Sequence, residues 1–143
     1  NKYRKEDINL EIPIAKEKKT MSFYTYNEPA LNTFSEELAK ERGEAKKIYQ
    51  LETNPLSDIL DKYLPSNIKK IDFLSIDVEG LDLEVLESNN WDKYKPTIIV
   101  IESLTTAKDI KTSLNCEVAQ YLNTKNYSLC SKADNTLFFK LND

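Results

Sequence analysis

A chain of 143 residues with a net charge of −4, 40% hydrophobic and 31% charged, describes one soluble globular domain large enough for a real core. Its acidic balance argues against a nucleic-acid groove or an anionic membrane surface as partner, and no apolar run approaches the ~20 residues of a membrane helix. Histidine is absent, which leaves acid–base chemistry to Asp, Glu, Lys, Tyr or a thiol, and the two glycines, Gly43 and Gly80, cannot compose a glycine-rich phosphate loop.

Ile8, Leu10, Ile12 and Ile14 alternate with Asn9, Glu11 and Pro13, a period that predicts a half-buried strand. Residues 20–26 read as a second strand paired with the first, and 27–32 as a loop. Thr33 and Glu36 have capping-box spacing, which predicts a helix capped by Thr33 that runs to Arg42 and stops at Gly43. A short strand over 46–53 follows. Asn54-Pro55 then reads as cap and first residue of a helix carrying Leu56, Ile59, Leu60, Tyr63 and Leu64, ended by Pro65.

Residues 71–76 are apolar apart from Asp72 and Ser75, and predict a strand buried on both faces, as in parallel sheets. The strand breaks into Asp77-Val78-Glu79-Gly80 and a helix over 81–88, whose early acids suit the positive end of the helix dipole. A β-branched strand over 97–101 follows and ends in Glu102. Together these make a right-handed βαβ unit that would bring Asp77, Glu79 and Glu102 to one sheet edge, where ligands of open α/β sheets bind. After a polar crossing through 105–107, Leu114, Val118, Tyr121 and Leu122 predict one amphipathic helix. Strands over 127–131 and 136–141, joined at Asp134-Asn135, close the chain as a hairpin. No signal-peptide pattern opens the sequence, and Cys116, on a helix, and Cys130, in a strand, read as small hydrophobic residues with free thiols and no metal-type spacing, so the cytoplasm is the expected compartment.

The carboxylates each admit two readings. Glu79 can be a dipole-compensating acid or a site residue, Glu102 a solvated strand end or a site residue. Asp77 ends a buried strand at a ligand-binding edge, which favours function. Gly80 reads as steric, and Asn32 sits in a loop where turn chemistry competes with a binding role.

The stretch from Ile71 through Ile76-Asp77-Val78-Glu79-Gly80 to Leu86, with Lys95-Pro96 and the strand to Glu102, resembles the central signature of the FkbM-type S-adenosylmethionine-dependent methyltransferases. Leu31 to Ser35, Leu56 to Leu60, Asn126 to Leu129 and Asn135 to Phe138 match the same family, so the resemblance runs from about Ile8 to the C-terminus. It implies an α/β, Rossmann-like class I methyltransferase fold over 1–143, a mostly parallel sheet ending in an antiparallel hairpin, and O-methylation of a sugar or secondary-metabolite hydroxyl. The family's first strand, glycine-rich cofactor loop and acidic second strand are expected ahead of Ile8, and what is present resembles the later part of the catalytic domain.

On this reading Asp77 and Glu79 are the expected catalytic residues, with Glu102 and Asn32 against the acceptor. S-adenosylmethionine is the implied cofactor, and Mg²⁺ is the ion that such oxygen ligands would suit. The alternatives are a non-catalytic interaction module derived from the fold, and a metal-dependent hydrolase using the carboxylate cluster, which nothing supplies with a nucleophile or phosphate clamp. The partner is expected to be a small-molecule or saccharide acceptor. An uncovered edge on the 71–76 strand is expected to recruit further polypeptide, a rearranged strand from residues 8–26, or a second copy.

Overall fold

The computed structural model describes residues 5–103 and 109–143, and the predicted crossing through 105–107 lies outside them. Two sheets organise these residues. Strand β1 (Thr20–Thr25) pairs antiparallel with β2 (Lys47–Glu52), with Phe23 opposite Tyr49. The other four strands are β3 (Phe73–Ile76), β4 (Ile98–Glu102), β5 (Tyr127–Ala133) and β6 (Thr136–Leu141). They lie in the order β3-β4-β6-β5, with β3 and β4 parallel and the other two pairings antiparallel. The fold is α/β as expected, but the sheet is not mostly parallel: one pairing of its three is.

The core lies on one face of this sheet. Strand pairing sets Leu74 beside Ile99 and Ile76 beside Ile101, and carries the row on to Phe139 and Leu137. Helix α2 (Leu56–Tyr63) contributes Leu56, α3 (Asp82–Glu87) contributes Val85 and Leu86, and the last helix (Glu117–Thr124) contributes Val118, Ala119 and Leu122. The opposite face carries Ser75 and Phe73, the latter 58% exposed, so β3 is not buried on both faces. Its outer edge pairs with no strand among the described residues. No helix among them is long and apolar enough to cross a membrane.

Several local expectations change. The alternating segment 8–14 forms no strand; it makes one bridge from Ile14 to Asn54, and Ile8 and Leu10 stay exposed. Pro13 has no N–H to donate, and β1 takes β2 as its partner instead. Helix α1 (Glu36–Arg42) is capped by Ser35, whose hydroxyl accepts from Leu38 N–H at 3.3 Å, and not by Thr33. Helix α2 begins after Pro55, with Asn54 outside it, and the Ser88 hydroxyl accepts its Leu56 N–H at 2.9 Å.

The predicted helix around Leu114 is two short ones, α4 (Ile110–Ser113) and α5 (Glu117–Thr124). Leu114 lies between them, 53% exposed. Cys116 is not inside a helix: its Sγ accepts Ala119 N–H at 3.4 Å as the α5 cap. Cys130 lies in β5 as expected, exposed at an irregularity of that strand. Gly43 ends α1 at φ +83°, as expected.

Candidate functional site

The site grows out of the register of the parallel pair. Ile76 lies beside Ile101, so the next residue of each strand, Asp77 and Glu102, comes side by side on the less covered face. The chain then turns sharply through Glu79 at φ +52° and Gly80 at φ +102°. A Cβ on Gly80 would lie 2.5 Å from Leu38 Cδ1 and 3.4 Å from Ser35 Cβ, so α1 closes over the turn because position 80 has no side chain.

Buried Asp82 holds this turn from inside, accepting Val78 N–H at 3.2 Å and Gly80 N–H at 3.1 Å. Burial outweighs those donors and pushes the Asp82 carboxyl above its ordinary range. The turn brings Glu79 back toward the strand ends, and one carboxylate oxygen each from Asp77, Glu79 and Glu102 falls within 4.8 Å of the others.

The three carboxyls are differently committed. Arg42 donates to Glu79 Oε2 at 2.5 Å and to the Leu31 carbonyl at 2.7 Å. Burial first, and then the charges of Asp77, Glu79 and Asp82, push the Glu102 carboxyl up. Its Oε2 is buried without a partner, and a side-chain hydrogen bond with Asp77, which needs a proton on the pair, raises the carboxyl further. Asp77 is exposed and lines a cleft of about 480 Å³ together with Glu79, Asn32, Phe23, Phe34 and the 12–14 segment. Glu102 does not line that cleft; it stands beside Asp77.

Asn32 lines the cleft but spends its carbonyl oxygen on Tyr26 N–H at 2.9 Å. Thr33, fully buried, donates to the Glu79 carbonyl at 2.7 Å and accepts Ser35 N–H at 2.9 Å. Sequence reasoning gave Thr33 the role of a helix cap, Arg42 that of a helix end and Asp82 that of a first-turn acid, and placed none of them in the site. Arg42 offered a signal, being one of two arginines in the chain, and the guanidinium suits planar pairing with a carboxylate.

Two groups that the family implies can be set against these residues. For a hard divalent ion the oxygen set is suitable in kind, but Arg42 already occupies Glu79, and burial with the neighbouring carboxylates raises the Glu102 carboxyl. For S-adenosylmethionine, Gly43 ends a helix and Gly80 packs against Leu38, so neither glycine cradles the methionine part of the cofactor.

An α/β domain with a cleft at the carboxyl ends of its parallel strands is built to bind a ligand there. Residues 2–129 match the Methyltransferase FkbM domain, and the chain belongs to that family. It is also similar to Methyltransferase sdnD of Sordaria araneosa, 35% identical over 81 residues that cover 50% of this chain and 31% of that protein. The chain thus matches under a third of the length of this curated relative. No solved structure matches it.

Proposed function

We propose that this chain forms the acceptor side of an S-adenosylmethionine-dependent O-methyltransferase acting on a sugar or secondary-metabolite hydroxyl. The observation that carries the proposal is the placement of Asp77 on the cleft, beside two carboxyls that are otherwise engaged. S-adenosylmethionine supplies an electrophilic methyl group when bound. The described residues do not form its cradle, so the roles assigned to them concern the acceptor alone.

Asp77 accepts the proton of the acceptor hydroxyl, work that contributes roughly 10²–10⁴-fold in enzymes that rely on a positioned base. Glu102 stands beside the Asp77 carboxyl and limits its orientation, and Glu79, tied to Arg42, holds the wall of the cleft in place. Alignment of the acceptor falls to Asn32 and to the apolar walls. The engagement of Glu79 by Arg42 weighs against the metal-dependent hydrolase. A non-catalytic module derived from the fold remains the second reading, favoured by the lack of a glycine cradle. The open edge of β3 is the proposed seat of a covering strand, from further polypeptide or a second copy, which light scattering would distinguish.

The test is transfer of labelled methyl groups to hydroxylated acceptors by protein carrying Asp77→Asn or Glu84→Gln. Asp77→Asn is expected to lose about 10²-fold or more in kcat/KM, with Glu84→Gln, on the flank of α3, within a few-fold of the parent. Equal activity in the two variants would remove Asp77 from the site. The 143-residue chain by itself is expected not to bind S-adenosylmethionine at micromolar levels, and stoichiometric binding in a calorimeter would contradict that.

A further inference from the structure

The cleft at Asp77 does not stop at the aromatic wall. A second cleft of about 560 Å³ shares Pro13, Phe23 and Phe34 with it and runs on to Leu51, Glu11 and Glu52. The Phe23 and Phe34 rings lie 4.6 Å apart at a 33° tilt, between the two hollows. An elongated ligand can therefore lie across a pair of aromatic rings with one end at Asp77.

Charge narrows what that ligand is. Among the described residues the charged side chains lining the two clefts are Glu11, Glu52, Asp77 and Glu79, and no lysine or arginine lines either one. Arg42 is spent on Glu79 and Leu31, and Lys18 on Glu52. A phosphate or carboxylate entering here meets a lining of its own sign, with the two nearby cations already paired to that lining. Polar partners are also few. The first cleft offers Asn32, Asp77 and Glu79, of which Asn32 and Glu79 already have bonds, so a ligand dense in hydroxyls leaves many of them desolvated and unpaired.

We infer that the joined clefts take an uncharged acceptor with an apolar body, laid on Phe23 and Phe34 with a single hydroxyl at Asp77, in preference to a free sugar or any phosphorylated one. The inference rests on the acceptor-site reading above and narrows it to the hydrophobic, secondary-metabolite side. Its test is binding, which needs no methyl transfer, so failure of an activity assay and failure of this inference are separate results.

With isoleucine δ-methyl groups labelled, 2-naphthol, 2-naphthyl phosphate and glucose are titrated into the full polypeptide. The expected result is a saturating shift of the Ile12 and Ile14 methyl signals by 2-naphthol, binding of 2-naphthyl phosphate weaker by on the order of tenfold, and no shift by glucose. Ala30→Lys adds a cation to an exposed turn at the cleft wall and should bring the phosphate to parity or better. The methyl spectrum of the variant reports its folding directly. Silence toward 2-naphthol, equal affinity for its phosphate in the parent, glucose shifting the same methyls, or an unchanged preference in Ala30→Lys would each overturn the inference.

Discussion

In the four-stranded sheet Ile99, Ile101, Leu137, Phe139 and Tyr127 are each at most 1% exposed, whereas along β2 of the two-stranded sheet only Leu51 is even half-buried. The first region is held by apolar burial, about 25 cal/mol for each Å² removed from water. The second is tied down by single polar bonds: Thr33 and Arg42 to Glu79, Thr53 to the Glu17 and Lys19 carbonyls, and Ala15 N–H to the Asn54 carbonyl. The cleft lies on the seam, with one side on the turn that follows β3 and the other on the tied region. Walls of that kind open at lower free energy than a core does, which suits an acceptor that must enter and leave.

The largest test of that contrast is Leu137→Ala, expected to cost about 2–5 kcal/mol in denaturant unfolding, against at most ~0.5 kcal/mol for Ile48→Ala, whose side chain is 57% exposed. Comparable losses would erase the distinction. Next comes Gly80→Ala. The clashing Leu38 methyl can move aside, so the residual cost is the left-handed backbone at φ +102°, about 1–3 kcal/mol. Smaller again is Arg42→Met, which keeps the apolar stem and drops the bonds to Glu79 and Leu31. Both partners of the ion pair are partly exposed, so about 1 kcal/mol or less is expected, together with faster hydrogen exchange at Leu31 and Asn32 N–H and none at Ile99 or Ile101. Faster exchange in β4 would mean that the seam and the core are one cooperative unit.

The same contrast explains what could be read from residues alone. The βαβ unit and the closing hairpin were legible because their apolar pattern is local and the core confirms it. Strand alternation at 8–14 was not enough, since a strand needs a partner, and β2 and Pro13 between them left it none. The start of α2 was misplaced by one residue, its first N–H being taken by Ser88, 32 residues away, and that of α1 by two, because Ser35 and not Thr33 caps it. The convergence of Asp77, Glu79 and Glu102 followed from strand order. Arg42 and Thr33, which join that cluster to the two-stranded sheet, act over 37 and 46 residues of sequence, and beyond the scarcity of arginine nothing in the sequence near them announces those partners.

The smallest effect concerns Glu102 and separates a shared proton from a plain strand-end acid. Burial, and then the nearby Asp77, Glu79 and Asp82 charges, raise its carboxyl above the unfolded value. A group raised in this way lends stability that is complete below its unfolded pKa and is lost as pH rises through its folded one. The parent should therefore gain melting temperature as pH falls from neutral toward the ordinary carboxylate range. Glu102→Gln has no proton to gain and should start slightly more stable at neutral pH, with its advantage, about 1–3 °C after allowance for solvent screening, closing as the parent protonates. Asp82 is raised for the same first reason, burial, and persists in the variant, so the slope flattens without vanishing. Asp61, lowered by its bonds to Lys93 and Tyr94, acts with the opposite sign and only at lower pH. Parallel melting curves for parent and variant across that window would show that Glu102 holds no proton toward Asp77.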